Sequence, residues 1–439
     1  MFGLFGSSLM TIVFIYLVIN IVLSDESIRP QTVKLAFTSN PSEMVISWFT
    51  EKENGDSLVH FSETHSTLLS WTKLQHKSGV NVTTSSAQPQ NFTSDTWYGL
   101  SHTVLLSNLS PLTTYFYVVG GTSQVAYSQI FKFTTQAFDI NTTATEPMKK
   151  VTPFHIAVYG DMGNGDGYNE TVAHLKENMD RYNMVLHVGD ISYCDYDKVE
   201  QGNQTVWNDF LKELEPITSK VPYMTTPGNH DVFYSLTAYQ QTFGMPATSD
   251  EPWYSFNYNG VHFISISSES DLSPFTKQYQ WIKADLEQYR RYNPNGWIIA
   301  YSHRPYYCST QWDWCRKQTL RALIEATVGS LFQKYNVDIF LAGHTHAYER
   351  TYPVYQQLNI GNYDYPGGTV HMVIGTPGNQ EGLDKDFIYP TPDWSASRFS
   401  TYGYAQLQVQ NETHILWQFL GNQDRKILDQ QWIVKGYFD

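Results

Sequence analysis

VDIFLAGHTHAYER, residues 337–350, is an apolar run of strand type that stops at Gly343 and then presents two histidines, His344 and His346, one residue apart. In an extended continuation, residues i and i+2 point the same way, so both imidazoles are expected to reach one pocket from one strand end. Whether they share one metal, hold two, or hold none depends on what the rest of the chain brings to the same place.

Four other segments have the same form. GDMG gives Asp161, GDISY gives Asp190 and Tyr193, GNHD gives Asn229, His230 and Asp231, and YSHRP gives His303. Each follows an apolar run, which is where open α/β sheets place their sites. A single histidine after a strand is more often structural than a ligand, and each block alone is weak. Five in order, all rich in O and N donors, are not.

The runs FHIAVYG, MVLHVGD, VPYMTTPGNH, GVHFISISS, GWIIAYSH and VDIFLAGH alternate with helix-like segments at 168–182, 204–220, 276–292 and 316–335. Strand–helix alternation predicts an α/β layer architecture with partly parallel sheets. The late runs GTVHMVIGT and YGYAQLQVQNETHILWQFLG look antiparallel and complete a domain over 152–439. Residues 137–151 are polar with one proline and read as a linker. Residues 29–136 differ: PQTVKLAFTS, EMVISWFT, SLVHFSE, HTVLLSNL, TTYFYVVGG and SQIFKFTT alternate with period two. They predict an all-β sandwich of immunoglobulin or fibronectin type III kind. Its histidines, 60, 65, 76 and 102, are scattered and read as structural or surface residues.

The 439 residues carry a formal net charge of −14, which argues against a nucleic-acid binder that works through a basic face. Residues 1–24 hold a short apolar segment and read as a signal peptide, although no Lys or Arg precedes it. An uncleaved anchor is the competing reading, and the segment is short for a span, which needs ~20 apolar residues. N-x-S/T sequons at Asn81, Asn91, Asn108, Asn141, Asn169, Asn203 and Asn411 fit secretory passage with N-glycans. The expected location is outside the cell or in an endolysosomal or vacuolar lumen. Of the three cysteines, Cys308 and Cys315 are close enough for a local disulfide in an oxidising compartment, and Cys194 is left over, either a buried thiol or an intermolecular link.

Asp161, Asp190, Tyr193, Asn229, His303, His344 and His346 are mixed O and N donors without a thiolate, a set that suits metals of intermediate hardness. Seven are too many for one catalytic metal with open positions. They suit two metals ~3.5–4 Å apart sharing a carboxylate. Tyrosinate is a hard anion and favours trivalent iron at one of them.

The five blocks in this order resemble the metal-binding blocks of the purple acid phosphatases. HAYERTYPVY after GHTH and GTPGNQEG at 375–382 are similar to that family's flanking segments, and the resemblance covers roughly residues 29–439. It implies an α/β metallophosphoesterase sandwich, two mixed β-sheets flanked by helices, behind the fibronectin type III-like domain. It further implies an acid phosphatase that hydrolyses phosphate monoesters with a binuclear Fe(III)–M(II) centre, whose water-derived nucleophile persists into acid. By the resemblance, Asp161, Asp190, Tyr193 and His346 take one iron per subunit. Asp190, Asn229, His303 and His344 take zinc, manganese or a second iron, with Asp190 bridging. His230 matches a histidine near the substrate phosphate.

The chain departs from the family pattern at two places. Ala300 stands where a valine is usual, which alters packing and not ligation. Trp312 and Asp313 stand where plant members carry two histidines, so the group that protonates the leaving oxygen is open between Asp313 and His230. Arg304 reads equally as a phosphate contact or a structural ion pair. The alternatives are a secreted metallophosphodiesterase acting on nucleotide or phospholipid diesters, and a non-catalytic metal-dependent binding protein. Tyr193 and the sandwich weigh against the first, the intact donor set against the second.

Overall fold

The structure is a computed structural model that describes residues 26–73, 80–122, 126–139, 150–196, 202–247 and 251–436. The leader segment, Asn141 and most of the expected linker lie outside the described residues.

Residues 31–134 form two four-stranded antiparallel sheets. One runs Gln31–Ala36, Met44–Thr50, Trp97–Leu106, Gln90–Ser94, and the other Thr83–Ala87, Ser57–Ser62, Thr114–Gly121, Phe131–Thr134. Alternation puts Trp48, Val59, Val104 and Tyr117 between the sheets, where they pack together. Two of these strands, Thr83–Ala87 and Gln90–Ser94, and the helix His65–Lys73 were not foreseen from the sequence. The two strands are polar and mostly exposed, so they carry no apolar period. His102 is structural, its nitrogens 2.8 Å from the Thr50 and Ser57 hydroxyls.

The rest of the chain builds two facing mixed sheets. The first has the order Tyr223–Thr226, Met184–Val188, Phe154–Tyr159, Gly403–Val409, His414–Gly421, Ile427–Val434. The second has the order Tyr254–Tyr258, Val261–Ser265, Ile298–Tyr301, Ile339–Ala342, Val370–Ile374, Tyr348–Thr351, Ser395–Phe399. In each, the parallel strands are buried along their length, which is why they read as continuous apolar runs. Side-chain alternation still sorts the two faces. Ile156, Val158, Leu186 and Val188 meet Ile299, Tyr301, Leu341 and Met372 between the sheets. Ala157, Tyr159 and Val185 point outward onto Val172, Leu175, Trp207, Leu211 and Leu214 of helices Tyr168–Asn178 and Gln204–Thr218. On the far side, Ile264, Ile298 and Phe340 pack on Ile282, Leu286, Val328 and Leu331 from helix Lys277–Tyr292 and the helical run 318–334.

Val370–Ile374 corrects the antiparallel reading in part. It runs antiparallel to Tyr348–Thr351 but parallel to Ile339–Ala342. An apolar run buried on both faces gives no clue to direction.

The sandwich docks on helix Gln204–Thr218. Glu215 accepts from the Val33 amide (3.0 Å), Thr218 donates to the Val33 carbonyl (2.7 Å), and Tyr117 donates to Ser219 O (2.7 Å). Lys34 is buried at this seam, its ammonium donating to Thr32 O at 2.5 Å. No helix among the described residues is long and apolar enough to cross a membrane.

Candidate metal centre

The five blocks converge at one edge of the two sheets. Asp161 follows Phe154–Tyr159, Asp190 and Tyr193 follow Met184–Val188, and Asn229 follows Tyr223–Thr226, all from the six-stranded sheet. His303 follows Ile298–Tyr301, and His344 and His346 follow Ile339–Ala342, both from the seven-stranded sheet.

The chain must turn sharply at these points to aim side chains into one space. Asp161, Asp190, Tyr193 and His344 all lie in the left-handed region, with φ of 58°, 52°, 54° and 67°. Such conformations cost energy in L-residues and cluster at functional sites. Close approach adds a second constraint. A Cβ on Gly343 would stand 2.1 Å from Asp161 Oδ2, and one on Gly228 would stand 2.2 Å from Asp190 Oδ1. Those glycines let one ligand block lie against the next.

GHTH is therefore not an extended continuation of its strand. His344 N donates to both Asp161 oxygens at 2.9 and 2.8 Å, and tight turns close from Thr345 N to Gly343 O and from Ala347 N to Thr345 O. The backbone is pulled onto Asp161, which forces the left-handed turn at His344. Thr345 faces away from the donors, with its hydroxyl 3.6 Å from Cys315 Sγ.

Two donor groups result. In the first, His303 Nε2 lies 3.1 Å from Asn229 Oδ1, from His344 Nδ1 and from Asp190 Oδ2. Asp190, His303 and His344 can all offer an atom to one ion. His303 Nδ1 donates to Val188 O (3.1 Å), which turns Nε2 inward. In the second, Tyr193 Oη lies 3.0 Å from His346 Nε2, 3.3 Å from Asp161 Oδ1 and 3.5 Å from Asp190 Oδ2. Asp190 Oδ2 belongs to both groups. Lone pairs crowded this closely, in a buried place, fit two cations better than any arrangement of protons.

The electrostatics point the same way. Burial pushes the Tyr193 phenol well above its usual range, and Asp161 and Asp190 push it further. Burial lowers the His303 pKa, but Asp190 and Asp161 outweigh it and hold the imidazole up at about 10. The cluster carries an excess of negative charge that calls for cations.

Asp231 braces the first group without touching it. Its buried carboxylate accepts from the amides of Asp190 (2.8 Å), Ile191 (3.0 Å) and Gly228 (2.8 Å). Asp384, absent from the sequence reading, accepts from His346 N at 3.0 Å. Neither it nor Glu381 could be found from a strand-end pattern, because both lie in an irregular segment.

His230 sits at the cleft wall, its ring 4.4 Å from that of Tyr193. Its Nδ1 is 2.9 Å from Asp195, leaving Nε2 toward the cleft, where Glu381 Oε1 is 3.7 Å away. Burial lowers its pKa, but Asp195 and Asp190 prevail and raise it to about 9. Asp195 is two residues past Tyr193 and went unrecognised as its partner. Asp313 is exposed and paired with Lys317, whose ammonium holds the carboxyl below its usual value. Arg304 is clamped by Glu269 at 2.8 and 3.0 Å, with Nη1 2.8 Å from His344 Nε2. Of its two readings, the geometry is that of the structural ion pair. The cleft over the donors holds ≈ 610 Å³. Cys308 and Cys315 form a disulfide beside it, and Cys194 is a buried free thiol.

Residues 30–135 match the family described as purple acid phosphatase, N-terminal domain, residues 154–348 match calcineurin-like phosphoesterase, and residues 368–430 match iron/zinc purple acid phosphatase-like protein C. A solved purple acid phosphatase from yellow lupin (Lupinus luteus) seeds superposes with a TM-score of 0.78 at 23% identity, over 93% of this chain and 75% of that one, which shows the fold. Probable purple acid phosphatase 20 of Arabidopsis thaliana is 31% identical over 93% of this chain and 88% of its own length. Acid phosphatase type 7 of Homo sapiens is 34% identical over 77% of both chains. At that identity and reach the chain belongs to the purple acid phosphatase family, and it is an acid phosphatase acting on phosphate monoesters.

Proposed function

We propose that this acid phosphatase works with one iron, held by Asp161, Asp190, Tyr193 and His346, and one divalent ion, zinc, manganese or iron, held by Asp190, Asn229, His303 and His344. The observation that carries the assignment is the shared Asp190 Oδ2, within 3.5 Å of donors from both groups. When bound, the ions supply Lewis acidity, which neutralises phosphoryl oxygens and lowers the pKa of water. Asn229 offers a neutral oxygen, so the pair keeps more positive charge than a third carboxylate would leave. His230 donates the proton to the leaving oxygen from Nε2. Asp195 accepts from Nδ1–H and, with Asp190, favours the doubly protonated imidazolium, so Nε2 also carries a proton on the cleft side. Asp313 is the poorer acid, since Lys317 keeps it ionised.

The diester alternative is not favoured, because the N-terminal match and both named relatives are of the purple acid phosphatase kind. Secretory passage to an extracellular or endolysosomal or vacuolar lumen is supported by the disulfide. The sequons at Asn81, Asn91, Asn108, Asn169 and Asn411 are exposed and suited to glycans. Asn203 is half-buried and caps a helix by accepting from Thr205 N, which makes it the poorest acceptor.

Metal analysis with a visible spectrum tests the centre. The expected result is one iron and one divalent ion per chain, with a phenolate-to-iron band that Tyr193→Phe removes. A colourless protein that is fully active on two zinc ions would overturn the iron assignment.

A further inference from the structure

Trp312 has no task in the site described so far. Its indole is 41% exposed at the cleft, and its ring lies 4.5 Å from that of His344 at 56°. An exposed tryptophan on a loose loop would mean little, but this one is fixed. Its loop is closed by the Cys308–Cys315 disulfide. Ser309 is held by Glu349, which accepts from its amide at 2.7 Å and its hydroxyl at 2.6 Å. Gln311 N donates to Asp386 O at 2.8 Å. The far end of the loop rests on Thr345, between the two ligand histidines. The neighbouring Trp314 is already used: its N–H donates to Pro305 O at 3.0 Å, and the Arg304 guanidinium lies 4.9 Å over its ring.

The charges of the same wall are spent. Lys317 is paired with Asp313, Arg304 with Glu269 and His230 with Asp195, so each cationic side chain among the described residues lining the cleft has a carboxylate beside it. Among the described residues, the wall offers no unpaired cation to a second phosphate or a polyanion. It offers a flat ring packed on His344 at the edge of the donor groups.

We propose that Trp312 is a specificity-determining residue that stacks on the leaving group, and that the preferred substrates are monoesters of planar aromatic alcohols, aryl or heteroaryl. The proposal rests on the phosphomonoesterase reading. Planar rings pack on indole in offset or edge-on arrangements, which an aliphatic or polyol group cannot reproduce.

The test compares 1-naphthyl phosphate with glycerol 2-phosphate on the metal-loaded full chain, for wild type, Trp312→Ala and Trp312→Phe. Dividing each variant's kcat/KM by wild type cancels the intrinsic reactivity of each ester. Trp312→Ala is expected to lower the naphthyl-to-glycerol ratio of kcat/KM on the order of tenfold, as for loss of a stacked ring, with Trp312→Phe recovering most of it. Equal losses on both esters, the mark of a structural prop, or an unchanged ratio would overturn the proposal. A wild-type protein inert toward both esters would instead overturn the phosphatase reading beneath it.

Discussion

Asp231→Asn is the substitution whose cost is most directly readable. The Asp231 carboxylate gathers three buried amides, two on Oδ2 from Asp190 and Gly228 and one on Oδ1 from Ile191. An asparagine has one acceptor oxygen. Its best placement keeps the Oδ2 pair and turns its NH2 toward the Ile191 N–H, so that two donors face each other. An orphaned buried donor costs about 1–3 kcal/mol. The two retained bonds lose their charge assistance, about 1 kcal/mol each. The total is about 3–5 kcal/mol, and the loss falls on the turn that carries Asp190 and Asn229. For a domain this large that corresponds to a fall in thermal midpoint on the order of 5–10 °C. Scanning calorimetry on metal-loaded protein measures it, with metal content determined on the same sample. The expected outcome is a lower midpoint together with partial loss of the divalent ion. A midpoint within a degree of wild type, with both ions retained, would refute the brace.

Asp190→Ala removes the oxygen common to both donor groups and should leave neither ion tightly held; metal analysis showing two retained ions contradicts the bridge. His230→Ala is expected to slow hydrolysis of alkyl phosphates about 10²–10⁴-fold and of p-nitrophenyl phosphate much less, since nitrophenolate needs no proton; equal losses on both esters would remove His230 from the acid role. Asp195→Asn should reproduce the same leaving-group dependence at smaller size. Lys34 is held at about 7 by burial, against the pull of Glu215, while the unfolded chain binds its proton up to a pKa near 10.5. Between those values the unfolded state holds more protons, so this group's penalty is full below pH 7 and fades as pH rises through that window. Lys34→Met should therefore stabilise the chain on the order of 4 kcal/mol at and below neutrality and progressively less toward pH 10. Unfolding midpoints compared across pH check it, and a constant difference at every pH would refute the burial penalty.

The donors were legible because strand ends in α/β sheets leave a strong trace: an apolar run, a glycine, then a side chain with a lone pair. The sandwich was legible for its apolar strands and not for Thr83–Ala87 and Gln90–Ser94, which are polar in all but Phe92 and Ala87 and so show no apolar period. What the sequence lacked was everything decided by direction in space. It could not separate Arg304 as phosphate contact from Arg304 as the partner of Glu269, because residues 35 apart carry no mark of contact. Nor could it weigh Asp313 against His230 as the proposed acid, since the Lys317 beside the first and the Asp195 beside the second are contacts decided in space. The left-handed turn at His344 was invisible for a similar reason. It is imposed by a carboxylate 183 residues away.

The two sheets meet face to face, and in the proposed assignment each contributes only part of either ion's surroundings. Asp161, Asp190, Tyr193 and Asn229 come from one, His303, His344 and His346 from the other. An ion at this edge is thus a clasp across the seam. Prising the sheets apart empties it, and chelating the ions unfastens the edge, with each equilibrium biasing the other. The catalytic inventory is at the same time a fastening of the fold, so a mutation deep in either sheet can be read out as a change in metal affinity without touching a ligand.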